Sequence, residues 1–173
     1  MPELQRLRPD HARALLAFER ENRAYFALSI SDRGDDYFAH FAVRHQNLLT
    51  EQDSGLSHFH VLVDDSGAVL GRVNLFGVTD GSAELGYRIA ERSAGQGLAT
   101  AAVRRICVLA AADYGLTTLR AVTTLDNAGS RAVLTRTGFI STGDVQLNGR
   151  PGLRFVRDLR RALNDSALDG EGG

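Results

Sequence analysis

Glu84 and the run Gly95-Gln96-Gly97 are the residues whose types and spacing can do chemistry in this sequence. Ala83 to Ala90 alternates as a strand does, and the glycines that follow open a helical pattern. A strand that delivers the chain into a glycine turn and then a helix presents backbone N–H groups at a positive helix end. Such an arrangement is a ready site for a pyrophosphate. Glu84 sets a lone carboxylate on the strand, within reach of a ligand held there. A phosphate cradle beside a base predicts transfer of a group from a phosphate-bearing cofactor.

The elements that must position these residues are read from periodicity and turn chemistry. A short strand, about Glu3 to Arg8, ends at Pro9-Asp10, where Asp10 is placed to cap a helix that turns Leu15 and Leu16 inward. Residues 21–33 read as a connection carrying Tyr25, Phe26, Leu28 and Ile30. From Asp35 to about Thr50 a second helix is predicted by Phe38, Phe41, Ala42, His45 and Leu49. Ser57 to Val63 and Ala68 to Val78 are strands joined by the turn Asp64-Asp65-Ser66-Gly67. Gly97 to about Tyr114 is a long helix with Ala99, Ala102, Val103, Ile106 and Ala110 inward, stopped by Gly115. Thr117 to Thr124 is a strand and Asn127 to Thr137 a short helix. Phe139 to Leu147 and Arg150 to Leu159 form a hairpin about Asn148-Gly149. The order β-α-α-β-β-β-α-β-α-β-β predicts an α/β (α+β) chain with a single mixed, mostly antiparallel sheet and helices on both faces.

The bulk composition narrows the function class. At 173 residues, with 43% hydrophobic and 24% charged residues, the chain is expected to fold as one domain over residues 1–160, with 161–173 a flexible tail. Twenty basic residues against 21 acidic ones give a formal charge of −1, which argues against a general nucleic-acid binder. Cys107 is the only cysteine, has no disulfide partner, and falls in a helical pattern suited to packing. The N-terminal residues Met1-Pro2-Glu3-Leu4 lack a basic segment followed by an apolar run, and no apolar stretch approaches a membrane span. A cytoplasmic protein without membrane contact is expected. His58 and His60 share a strand face but lack a third ligand, so packing or solvation is expected of them and no metal. Arg104 and Arg105 read as a solvated helix face that could also meet cofactor phosphates.

Two motifs carry a resemblance. Tyr87-Arg88-Ile89-Ala90 leads into Gly95-Gln96-Gly97-Leu98-Ala99-Thr100, and one helix and one strand later comes Asn127-x-x-Ser130, followed by Gly138-Phe139. In that order they make the chain, from about Leu4 to Leu159, similar to the GNAT acyl-CoA-dependent N-acetyltransferases, particularly the branch like RimJ and RimL that acetylates protein N-termini. The family's phosphate loop, Gln/Arg-x-x-Gly-x-Gly/Ala, fits residues 92–97 in every letter. It fits residues 94–99 with Ala94 in place of the first letter. The second register keeps the family's distance from strand to glycines and is preferred.

The resemblance implies acetyl-CoA as acetyl donor, a primary amine as acceptor, direct attack in a ternary complex without an acyl-enzyme, and a homodimer as one possible assembly. It implies that Tyr87, Arg88 and Ile89 pair through their backbone with the pantetheine arm, with the Ile89 N–H polarising the thioester carbonyl. Gly95, Gln96, Gly97, Leu98, Ala99 and Thr100 would cradle the pyrophosphate. Glu84 would be general base, its pKa raised by partial burial unless Arg72 or Arg88 pairs with it. Asn127 would hold the pantetheine, or else serve only as a helix cap. Many family members place a leaving-group tyrosine seven residues after this asparagine; here that position is Leu134, which leaves Ser130 as candidate acid. Tyr25, Phe26, Tyr37 and Phe76 are candidates for the acceptor wall or for the core.

Two other function classes compete. A non-catalytic acyl-CoA-binding domain would keep the cradle without turnover. A dinucleotide oxidoreductase would need a third glycine at position 100, where Thr100 stands, and an acidic residue near position 120, where none lies.

Overall fold

The computed structural model describes residues 2–161, the side chain of residue 161 excepted. The expected flexible tail therefore lies outside the described residues from 162 onward. In chain order the elements are β1 (Glu3–Arg6), α1 (Ala12–Glu21), α2 (Arg23–Ala27), α3 (Asp35–Ala39), α4 (Phe41–Asp53), β2 (His58–Val63), β3 (Val69–Thr79), β4 (Ser82–Ile89), α5 (Leu98–Ala112), β5 (Thr118–Thr124), α6 (Ala128–Arg136), β6 (Ile140–Leu147) and β7 (Arg150–Asp158). The seven strands follow the order β1-β2-β3-β4-β5-β7-β6. This is the mixed, mostly antiparallel sheet expected from the sequence. No helix among the described residues is long and apolar enough to cross a membrane. The chain divides into two compact units, one of Met1–Phe76 with Gly86–Ala99 and the other of Gly77–Leu85 with Thr100–Gly173.

In the first unit β1 and β2 run antiparallel from Glu3↔Val63 to Arg6↔His60, and β2 pairs antiparallel with β3. Asp64 closes their turn, its carboxylate accepting from the Ser66 and Ala68 N–H groups at 2.9 and 3.0 Å. Two helix expectations are corrected here. Asp10 caps nothing: it lies inside a 3-10 turn, Pro9–His11, and pairs with its neighbour Arg8, while His11 Nδ1 accepts the Arg8 N–H at 2.9 Å. The second helix is two. His40, with φ −113° and ψ 27°, folds its ring back onto Asp36 and separates α3 from α4. Leu7, Leu15, Phe18, Phe26, Tyr37, Phe41, Leu49, Phe59 and Val61 form the core of this unit.

His60 is buried in β2, and burial pushes its pKa down to about 4 against a partly opposing backbone hydrogen bond. The unfolded chain takes up this proton near pH 6.5, so between pH 6.5 and 4 the unfolded state binds more protons than the folded one. The His60 contribution to stability is thus complete above pH 6.5 and is lost as pH falls toward 4. The urea midpoint is expected to drop across that interval, and to drop less in His60→Gln.

In the second unit the start of β4 runs parallel to β5 over Ser82↔Thr118 to Glu84↔Arg120. β7 pairs antiparallel along all of β5 and returns to β6 through Asn148 and Gly149, at φ 51° and 78°. Positive φ at both central residues is what an Asn-Gly turn supplies. The α5 helix buries Ala102, Val103, Ile106, Cys107 and Ala110, while Ala99, expected inward, is only half-buried. Gly115 at φ 64° ends the segment as expected. Burial pushes the Cys107 thiol up, Arg157 opposing, which fits a packed and unreactive side chain.

Candidate active site

Gly95 and Gly97 both sit at φ 75°, a left-handed conformation that side chains with a Cβ adopt at a cost. A Cβ built on either would meet nothing within 4 Å. The space before the loop is open, and the glycines are there for their backbone conformation. Gln96 is exposed between them, its amide donating to the Arg92 carbonyl at 3.4 Å. Leu98 and Ala99 follow as the first residues of the fifteen-residue α5, half-buried, and Thr100 continues it. Strand, glycine turn and helix therefore stand as the sequence predicts. The residues fit a pyrophosphate by backbone donors and an unobstructed approach.

Upstream, β4 carries Tyr87, Arg88 and Ile89, all half-buried. Gly71 on β3 lies against them: a Cβ there would stand 2.8 Å from Ile89 Cδ1 and 3.1 Å from the Arg88 carbonyl oxygen. Glu84 is exposed on the same strand, not partly buried as expected, because its position on β4 is one of those that point away from packed Ala83 and Leu85. Arg72 and Arg88, the strand neighbours offered by sequence as partners for Glu84, are committed to another carboxylate.

That carboxylate is Glu19, which sequence reasoning passed over. Glu19 on α1 is 1% exposed. It accepts from Arg72 Nη1 at 2.9 Å, from Arg33 Nε and Nη2 at 3.2 and 3.3 Å, and from Arg88 Nη1 at 3.4 Å. Arg72 also donates to the Tyr37 hydroxyl at 3.3 Å. Burial pushes the Glu19 carboxyl up, but the Arg72, Arg33 and Arg88 charges outweigh it and hold the group below the usual carboxylate range. The only sequence signal was a helix face on which Glu19 follows the inward Leu15 by four residues. Phe26 and Tyr37 belong to the core, whereas Phe76 is partly exposed and stacks edge-on with Phe59.

In the second unit Asn127 is the N-cap of α6, its Oδ1 accepting the Ser130 N–H at 3.1 Å. The capping reading is thus realised. Ser130, in the first turn, is half-buried, and Leu134 is 1% exposed. Leu134, where the resemblance leads one to expect a tyrosine, is here part of the packing. Among the described residues no group of three or more His, Cys, Asp or Glu is disposed to hold a metal ion. Arg104 and Arg105 lie on an exposed face of α5.

Comparison with known proteins bears on this arrangement. Residues 3–140 match the family model described as acetyltransferase (GNAT) domain. Over 146 residues the chain is 29% identical to a probable N-acetyltransferase, YjcK, of Bacillus subtilis (strain 168), covering 78% of this chain and 80% of that protein. In structure it is similar to a ribosomal-protein-S5-alanine acetyltransferase from Vibrio fischeri, with TM-score 0.84, 19% identity and coverage of 91% of this chain and 92% of that one. It is also similar to a RimJ from Mycobacterium smegmatis in complex with a CoA-disulfide, with TM-score 0.78, 23% identity and coverage of 95% and 88%. The strand, glycine turn and helix thus stand within a matched family model that spans most of the chain, and the protein belongs to the GNAT acetyltransferase family.

Proposed function

We propose that this protein is an N-acetyltransferase that moves an acetyl group from acetyl-CoA to a primary amine, a protein or peptide N-terminus or a small amine, by direct attack in a ternary complex. The observation that carries the reading is the pair of positive-φ glycines, Gly95 and Gly97, with open space before them at the start of α5. Acetyl-CoA supplies an activated acyl group, and the chain's own residues do the rest. The backbone of residues 95–100 holds the pyrophosphate. The backbone of Tyr87, Arg88 and Ile89 aligns the pantetheine arm, and the Ile89 N–H donates to the carbonyl oxygen as charge develops there. A donor of this kind is worth about 3–4 kcal/mol in other enzymes. Glu84 accepts the amine proton, directly or through water, and its exposure suits relay by solvent. Asn127 Nδ2 holds the pantetheine while its Oδ1 caps α6, and the Ser130 hydroxyl, directly or through water, relays a proton from solvent to the departing sulfur.

Packed Leu134, in place of a tyrosine, favours a second reading, an acyl-CoA-binding domain without turnover. Release of free thiol from acetyl-CoA in the presence of N-terminal peptides and small amines separates the two. Amine-dependent release is expected. Tight acetyl-CoA binding with no release against any amine would select the second reading.

A further inference from the structure

The Glu19 cluster sets three guanidiniums, those of Arg33, Arg72 and Arg88, against one carboxylate. Glu19 and Arg72 are buried, whereas the Arg88 and Arg33 side chains are 19% and 30% exposed, so the two positive charges in excess stand at the solvent side of the cluster. The nearest further acids do not balance them. Asp32, at the same pocket, is taken by Arg23 through bonds of 3.0 and 2.8 Å, and Arg23 also holds Asp35 at 2.9 Å.

Glu19 divides itself unevenly among its partners. Arg72 has the shortest contact and Arg33 two, while Arg88 has one contact of 3.4 Å. The Arg88 guanidinium is instead laid over the Phe26 ring at 4.8 Å, and that of Arg33 over Tyr37 at 4.6 Å. Rings beneath both guanidiniums restrict them, so less side-chain entropy remains to be lost when an anion arrives. Burial, and then the Arg33 charge, push Arg88 down to about 10. An added negative charge would reverse that pressure. The pocket beside them, lined by Glu19, Phe26, Arg33, Phe38 and Arg88 among others, encloses only about 10 Å³, no more than a water needs, so an anion meets the two forks from solvent, where both side chains are partly exposed.

We propose that Arg33 and Arg88 bind a carboxylate carried by the amine acceptor, so that the protein selects acidic amines, either peptides with an acidic side chain near the N-terminus or free amino acids. This rests on the acetyl-transfer reading, because Arg88 lies between Tyr87 and Ile89, the backbone assigned to the acetyl donor. Planar guanidinium forks match a carboxylate in two-point contact. A polycationic amine meets like charge at the same place and is rejected.

Calorimetric titration of the protein in the presence of CoA tests the proposal without requiring turnover. The probes are a tetrapeptide amide with aspartate in second position against its asparagine twin, alanine against alaninamide, and spermidine. The carboxylate member of one pair is expected to bind at least tenfold more tightly than its neutral twin, and the pair that responds identifies the source of the carboxylate. In Arg33→Gln the preference is expected to fall below threefold, and Arg33→Lys, which keeps the charge but loses the fork, should lie between. Equal affinities within both pairs, no binding of any probe, tighter binding of spermidine, or a preference that survives Arg33→Gln would each overturn the proposal. Acetyl-CoA is titrated into the same preparation. Its failure to bind would count against acetyl transfer, a result distinguishable from loss of acceptor preference.

Discussion

Glu19→Gln is expected to destabilise the protein by about 3–5 kcal/mol, the range found when one partner of a buried ion pair is removed. Glu19 and Arg72 are both nearly inaccessible, so water cannot take over the lost contact. The substitution is nearly isosteric, and what it removes is the one negative charge that three arginines share. In a chain of this size the loss corresponds to a fall in Tm of about 6–20 °C. Acid should also erode this stability. Because the folded carboxyl is held below its ordinary value of 4.5, the Glu19 contribution is complete above that value and vanishes as pH falls through the folded value. A Tm unchanged in Glu19→Gln would show that the cluster contributes no stability.

Glu84→Gln is expected to lower kcat by about 100-fold, the lower end of what a positioned general base contributes. Glu84 is exposed, and the substitution leaves the strand pairing of Ser82–Glu84 with Thr118–Arg120 in place. Affinity for acetyl-CoA should change by less than about twofold, since the carboxylate is assigned to the amine and not to the donor. Equal turnover of wild type and Glu84→Gln at every pH would remove Glu84 as base. The acceptor would then have to lose its proton to water.

The features legible in the sequence are those whose cause is local. Gly95 and Gly97 adopt the positive φ that a turn into a helix requires, and Asn148-Gly149 makes the hairpin its dipeptide encodes. Asn127 caps α6 through the Ser130 N–H three residues on. What escaped depends on partners far along the chain. Glu19 meets Arg33, Arg72 and Arg88, which lie 14, 53 and 69 residues away. A glutamate on an amphipathic helix reads as solvated unless those distant cations are known. The break at His40 escaped because the apolar spacing of Phe38, Phe41, His45 and Leu49 runs through it, while the contact with Asp36 that accompanies it is polar. Asp10 lost the expected capping position because His11, one residue on, satisfies the Arg8 N–H with its ring. Glu84 lies on the expected strand, but on the face opposite packed Ala83 and Leu85, so its place within the strand does not bury it.

Calorimetric titration with acetyl-CoA, NAD serving as control and Gly97→Glu as the variant, tests whether residues 95–100 hold the acetyl donor. A glutamate at Gly97 brings a Cβ to a backbone at φ 75° and a negative charge to the place assigned to the pyrophosphate. Saturable binding of acetyl-CoA, none of NAD, and affinity reduced at least tenfold in Gly97→Glu are expected. A folded protein that takes up no acetyl-CoA, or a Gly97→Glu variant that binds it as tightly as wild type, would contradict the assignment of residues 95–100 as the cradle.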